Sequence, residues 1–355
     1  MTDRKWTLKS IAAHLGVSNA TVSNAFNRPD QLSKAKREEI LAACHELGYF
    51  GPNKAARSLR KGTFNIVALV LPDSVEYMVS DPVASSFMRG VAKVLEPQGI
   101  NLLLFSGNAE SVNDIVDFVD GFICYGRPRN TKLITHLEAL SKHVVTVDFE
   151  LDNKASVNIN NHEAAYTVAK QAFTGFETTS VSTSDNTSDN IEAAILGLRL
   201  LDTELICRVY DHHLPELNTS IAHQRLAGFR QAINELGIVI ADDKTWNIPE
   251  SSERYARIAA KEALNTSPRP NVLLCMSDLI ALAAAREAQA QSIKIPEELK
   301  IVGFDGIDEA ELFQPAITTI HQNSENKGQQ AAELFINKEK QQVMLPFNLK
   351  LGQST

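Results

Sequence analysis

An all-α N-terminal head followed by a larger α/β body of two doubly wound lobes is the fold class this sequence predicts, on three observations. Residues 7–47 carry apolar positions at helical spacing, interrupted at Gly16 and Pro29. From Phe64 onward, short runs rich in Val, Ile and Leu alternate with helical stretches, the pattern of a parallel sheet covered on both faces. These runs are too many for one comfortable sheet, and a chain of 355 residues has room for two or three domains.

In the head, Thr7 is placed to cap a first helix with the stripe Leu8, Ile11, Ala12 and Leu15. Gly16 ends it, because glycine tolerates the left-handed turn. Ser18 caps a second helix, 19–26, and Ser33 a third, whose inner side is Ile40, Leu41, Cys44 and Leu47. Two helices joined by a tight Gly-Val-Ser turn make a helix-turn-helix. The second helix, within "SNATVSNAFNRPD", is unusual. Val22 and Phe26 serve packing, whereas Asn19, Ala20, Ser23, Asn24 and Asn27 form a small polar face suited to reading something other than water. "GPNKAARSLRKG" follows, a short basic linker with one or two helical turns.

The body runs are "IVALVLPD", "INLLLFSG", "VDGFICYG", "HVVTVDF", "EAAILG", "NVLLCMSD" and "KIVGFDG", with helical stretches such as 87–97, 162–173 and 278–291 between them. Several runs end in a polar residue: Asp73, Ser106, Asp148, Asp278 and Asp305. Each alone reads as a cap or turn residue; together, at the same end of their strands, they point to a polar pocket. The expected boundaries are 1–50 for the head, 51–63 for the linker and 64–355 for the body. Within the body the lobes fall at 64–159 with 322–342, and 160–321 with 343–355.

Hydrophobic residues make up 44% and charged ones 22%, a globular rather than a disordered balance. The net charge of −8 divides unevenly: residues 1–62 carry +6 and the remainder −14. Only the head is therefore expected to meet a polyanion. No apolar run is long enough to span a membrane and the first residues lack a signal-peptide core, so a cytoplasmic protein is expected. The four cysteines show no CxxC spacing, and Asp211-His212-His213 has no third ligand at metal spacing. No phosphate-cradling glycine motif, nucleophile elbow or HExxH is present. The sequence thus points to no enzyme, no cofactor and no metal. The polar stretch "TTSVSTSDNTSDN" reads as a surface loop.

The segments "TLKSIAAHLGVSNATVSNAFN", "LGYFGPNKAARSL", "RLAGFRQAI", "SDLIALAA", "IVGFDG" and "PAITTIHQ" resemble the lac repressor family of bacterial transcription regulators, over nearly the whole chain. The resemblance implies a homodimer whose heads bind a pseudo-palindromic double-stranded DNA operator. It also implies a periplasmic-binding-protein-like body in which a small-molecule effector sits between the lobes. Asn19, Ala20 and Asn24 match the family's base-reading positions; Asn suits adenine and an Ala methyl suits thymine. Thr7, Ser18, Thr21, Ser23, Asn27 and Tyr49 are the candidates for backbone phosphates. Ala56 and Leu59 match the hinge helix that enters the minor groove, Leu59 as the wedge. The family usually has one residue between the tyrosine and Pro-Asn; here there are two, Phe50 and Gly51.

For the effector, the resemblance points to Arg225 and Asp305, whose donor fork and paired acceptors suit a polyol. Asp73, Asp278 and Arg199 complete the candidate set, Asp278 also being placed to cap a helix. Where relatives carry a Phe pair, this chain has Val83 and Ala84, which removes a stacking surface. The stretch 198–224 is longer than usual, and "LICRVYD" within it alternates like a strand. It forms either a lid, bringing Arg199, Arg208 and Tyr210 to the ligand, or a surface or dimer contact. The expected effector is a sugar or sugar derivative, with a purine or nucleoside, or a cleft that senses nothing, as alternatives. The regulator is expected to be a repressor. The absence of a heptad helix after "LKLGQST" favours a dimer, with 88–95 a candidate contact.

Overall fold

The computed structural model describes residues 6–51, 62–176, 191–210, 220–238, 240 and 243–355. The chain forms two units, Met1–Phe64 and Asn65–Thr355.

The first unit holds α1 (Leu8–His14), α2 (Asn19–Asn27) and α3 (Lys34–Glu46). The hydroxyls of Thr7, Ser18 and Ser33 accept the backbone N–H groups of Ser10, Thr21 and Lys36, so each helix starts on a side-chain cap. Ile11, Val22, Ala25, Ile40 and Cys44 form a small core. Gly51, the second of the two residues that follow Tyr49, stands where glycine is required. Its φ of +106° is in the region that favours glycine, and a Cβ there would lie 3.0 Å from the Phe26 ring.

The second unit contains two main sheets. In chain order the strands are β1 (Ile66–Val70), β2 (Asn101–Phe105), β3 (Gly121–Tyr125), β4 (His143–Val147), β5 (Ala155–Ile159), β6 (Ala193–Leu198) and β7 (Cys207–Arg208). Then come β8 (Thr245–Ile248), β9 (Val272–Cys275), β10 (Lys300–Val302), β11 (Thr319–His321), β12 (Gln342–Leu345) and β13 (Asn348–Lys350). The first lobe's sheet has the order β12-β5-β4-β3-β1-β2 and is wholly parallel. The second lobe's sheet has the order β10-β9-β6-β8-β7, parallel except for β7 at its edge. Both faces of each sheet are buried in separate apolar clusters, as the unbroken Val/Ile/Leu runs require.

The lobes are built alike. In the first, helix Pro82–Leu95 packs on Ser324–Asn337 through Gly90 and Gly328. A Cβ at either would fall 1.9–2.2 Å from a carbonyl oxygen of the other helix. In the second, Asn161–Ala172 meets Ile221–Glu235 at Gly228, where a Cβ would lie 2.2 Å from His162 O. The chain crosses between lobes after β5, after β11 and again after β12. The last crossing corrects the expected boundary at 342/343. β12 pairs along its length with β5, and Val343 and Leu345 pack into the first lobe's core.

Candidate functional site

In open α/β sheets, ligands bind beyond the carboxyl ends of the strands. Here those ends converge from both sheets on one cleft. Pro72 follows β1, Gly126 follows β3 and Asp148 follows β4; from the second lobe come Arg199 after β6, Ser251 after β8, Met276 after β9 and Asp305 after β10. Three of these side chains are aimed by strained backbone, with φ of +61° at Asp148, +54° at Arg199 and +125° at Asp305. Positive φ at non-glycine residues is the kind of strain that sites retain.

The floor of the cleft is charged and dry. Arg225, on helix Ile221–Glu235, is 4% exposed. Its Nε donates to Asn161 Oδ1 at 3.0 Å and its Nη1 to Met276 O at 2.6 Å, and its guanidinium lies 3.6 Å from the centre of the Phe304 ring. Asp305 Oδ1 is 3.6 Å from that Nη1 and accepts Gln322 Nε2 at 2.7 Å. Lys327, 1% exposed, donates to both oxygens of Asp148 at 2.7 and 2.9 Å and to Gln322 Oε1 at 2.6 Å. Gln322 thus links the two ion pairs, from the crossover that follows β11. Burial pushes the Asp305 carboxyl well above the usual carboxylate range; Arg225 opposes this, and Asp278 and Asp81 add to it.

The walls are mostly apolar: Met78, Val83, Leu198 and Met276, with Tyr77 and Tyr125. Tyr125 stacks on Phe87 with ring centres 4.4 Å apart. At the rim the lobes are tied. Asp73 accepts Arg199 Nη2 at 2.5 Å, Arg129 donates to Glu204 at 2.7 Å, and the Ser251 N–H donates to Tyr77 Oη at 3.0 Å.

The head offers a second candidate surface. Asn19 and Ala20 are exposed at the start of α2 and Asn24 is half-buried one turn later. Thr7, Ser18 and Asn27 are exposed beside them, Thr21 and Ser23 half-buried. Ser18 and Thr21 hydroxyls are 2.8 Å apart, and Asn27 Nδ2 donates to Ser23 O.

This head and cleft agree with what the chain is similar to. Residues 7–53 match the family of bacterial regulatory proteins named for lacI, and residues 206–355 match a periplasmic binding protein-like domain. The HTH-type transcriptional regulator Rv3575c of Mycobacterium tuberculosis is 34% identical over 344 residues, covering 94% of this chain and 91% of that protein. The chain belongs to the lacI family. A second relative, the HTH-type transcriptional repressor CytR of Escherichia coli, is 28% identical over 331 residues, covering 93% of this chain and 89% of that one. Among solved structures, the transcriptional regulator CelR–cellobiose complex has the same fold. Its TM-score is 0.66 at 22% identity, over 99% of this chain and 100% of that one. The protein is thus a transcriptional regulator with a DNA-binding head and not an enzyme. No helix among the described residues is long and apolar enough to cross a membrane.

Within this lacI-family chain, the residues singled out in the sequence fall into four groups. Arg225, Asp305 and Arg199 line the cleft together. Asp73 stands at the rim, its carboxylate taken by Arg199 and, at 3.5 Å, Arg129. Asp278 does not reach the cleft. It is fully buried and accepts the N–H groups of Gly306 and Ile307 and the Thr319 hydroxyl, so it braces the turn after Asp305. Burial pushes its carboxyl up to about 6 against those three hydrogen bonds. Nor is it the cap of its helix: Ser277 is. Tyr49 is 6% exposed with its ring edge-on to Phe26, so it belongs to the head's core and not to a phosphate-facing surface. Arg208 pairs with Asp243 and Glu262 on the edge strand β7, which extends the second sheet and does not form a lid. Ala56 and Leu59, and with them Asp211-His212-His213, lie outside the described residues. Asp81, Tyr77, Tyr125 and Gln322 line the cleft without having been singled out. Asp148 carried the strand-end signal.

Proposed function

We propose that this regulator is a homodimeric repressor that binds a pseudo-palindromic operator and releases or grips it according to a small polyhydroxylated molecule, a sugar or sugar derivative, held between the lobes. The supporting observation is the convergence of strand ends from both lobes on one cleft with a charged floor and apolar walls. A ligand touching both sheets favours one angle between them, and only such a difference in affinity moves a conformational equilibrium. Arg225 and Asp305 bind the ligand; Arg199, tied to Asp73, reports closure.

At the DNA, Asn19, Ala20 and Asn24 read base edges from the start of α2, while Thr7, Ser18, Thr21, Ser23 and Asn27 fix register on phosphates. The hinge wedge at Leu59 with Ala56 is carried by the family resemblance alone. The basic head makes binding fall with salt.

The experiment pairs the two sites. Operator duplexes are selected from a random pool by the full-length protein, and binding is then titrated with and without sugars, sugar derivatives, nucleosides and nucleobases. A symmetric site whose affinity one sugar changes is the expected result. Arg225→Lys, which keeps the charge but loses the fork, removes the ligand response and leaves operator binding in place. Response to a nucleobase only, or a ligand response undiminished in the variant, overturns the reading of the cleft.

A further inference from the structure

We propose that Asp81 sets the charge class of the effector: facing Asp305 across the cleft, it selects a ligand rich in hydroxyl or ammonium donors and rejects acids and phosphates. The inference rests on the small-molecule reading of this cleft and adds to it a residue and a selection rule.

Asp81 ends the short helix Val75–Ser80 and caps Pro82–Leu95, its Oδ1 accepting the Val83 N–H at 2.8 Å. It lines the cleft from the first lobe as Asp305 does from the second. Among the described residues no cation forms an ion pair with it. Burial raises its carboxyl above the ordinary value, with only the N–H groups of Val83 and Ala84 opposing.

The cations of the floor, by contrast, each face a carboxylate of their own. Lys327 has its three protons placed on Asp148 and Gln322, and Arg225 is held by Asn161 and Met276 and faces Asp305 at 3.6 Å. Arg199 is held by Asp73 and by Pro249 O, and Arg127, at the mouth, is exposed and screened by water. With the floor cations matched to Asp148 and Asp305, Asp81 is left as the cleft acceptor without a cation, between apolar walls. A ring with donors on its edge satisfies it; an acid or phosphate sets a second negative charge beside it in a site of low dielectric.

The test is calorimetry on the full-length protein with a panel of sugars and cyclitols, each beside its amino, carboxylate and phosphate counterparts, for instance glucose, glucosamine, glucuronate and glucose 6-phosphate. Binders are expected among uncharged or amino members, with each anionic counterpart weaker by about ten-fold or more. Asp81→Asn keeps the helix cap, because Asn accepts the same N–H, so the variant melts as the parent does. It should lower affinity for the uncharged or amino binder and shrink the penalty on the anionic one. An acid or phosphate that binds as tightly as its uncharged counterpart overturns the inference, as does an unchanged ratio in the variant. Absence of binding by every member overturns the small-molecule reading itself, and the inference falls with it.

Discussion

The rim and the floor of the cleft use charge in opposite ways. At the rim, Asp73 and Arg129 of the first lobe meet Arg199 and Glu204 of the second, and among the described residues the ion pairs that join the lobes are there. Three of these groups are partly wet: the Arg129 and Arg199 side chains are about a quarter exposed and that of Glu204 is 72% exposed, while Asp73 is 10% exposed. On the floor, the Lys327–Asp148 pair lies within one lobe, with side chains 1% and 8% exposed. Exposed pairs contribute little and are screened by salt, whereas removing one member of a buried pair leaves a bare charge in a dry place. The difference assigns two roles. The floor is part of the folded structure and fixes what the ligand meets; the rim is a weak latch that sets how readily the lobes close.

The largest effect is therefore expected on the floor. Lys327→Met leaves Asp148 and Gln322 Oε1 without their donor and should cost about 3–5 kcal/mol of unfolding free energy. Urea denaturation measures it. Adding Asp148→Asn removes the stranded charge, so the double variant should recover most of the loss. A single variant as stable as the parent would mean that the floor behaves like the rim.

A smaller effect is expected at the rim. Arg199→Ala should change unfolding free energy by less than about 1 kcal/mol, yet open the cleft, seen as a larger radius of gyration in solution scattering and a several-fold weaker effector. The pH dependence sharpens the contrast. Burial raises the Asp73 carboxyl, but the hydrogen bonds from Arg199 and the Ser74 N–H and the charges of Arg199 and Arg129 outweigh it, holding it below the ordinary value. A depressed folded value means the latch is fully present above the ordinary carboxylate pKa of about 4 and is lost as pH falls through the folded value. Closure in the parent should thus weaken on acidification below about pH 4, and in Arg199→Ala it should weaken less.

What the sequence revealed follows the same division. Strands with unbroken apolar runs, such as "IVALV" and "VLLC", were legible because burial on both faces needs no polar residue. Ala155–Ile159 and Thr245–Ile248 were missed, since Ser156, Asn158 and Asn247 interrupt the run although all three are buried. Their polarity is met in part by specific partners: Asn158 Nδ2 donates to Glu150 and Ser156, while its Oδ1 has no partner among the described residues, and Asn247 Nδ2 donates to Leu205 O. Asp305 and Asp148 were visible as strand ends. Lys327 looked like any helix lysine, and its position beneath the cleft depends on a crossover 179 residues from its partner in sequence. Asp278 shared the strand-end signal without the function, because the same geometry serves a residue that braces the neighbouring turn.

The smallest expected effect isolates the rim from charge altogether. Tyr77, in the first lobe, accepts the Ser251 N–H of the second at 3.0 Å, and both residues line the cleft. Tyr77→Phe keeps the ring and its packing on the apolar wall but removes the acceptor. In the closed form the 7% exposed Ser251 then has a bare N–H, while in the open form water takes it. The loss, about 0.5–1.5 kcal/mol, should therefore fall on closure and not on folding. Effector affinity should drop a few-fold with the denaturation midpoint unchanged, and added salt should not alter the ratio, unlike that for Arg199→Ala. A midpoint that falls together with affinity would place this hydrogen bond with the floor, and the latch would then consist of the ion pairs alone.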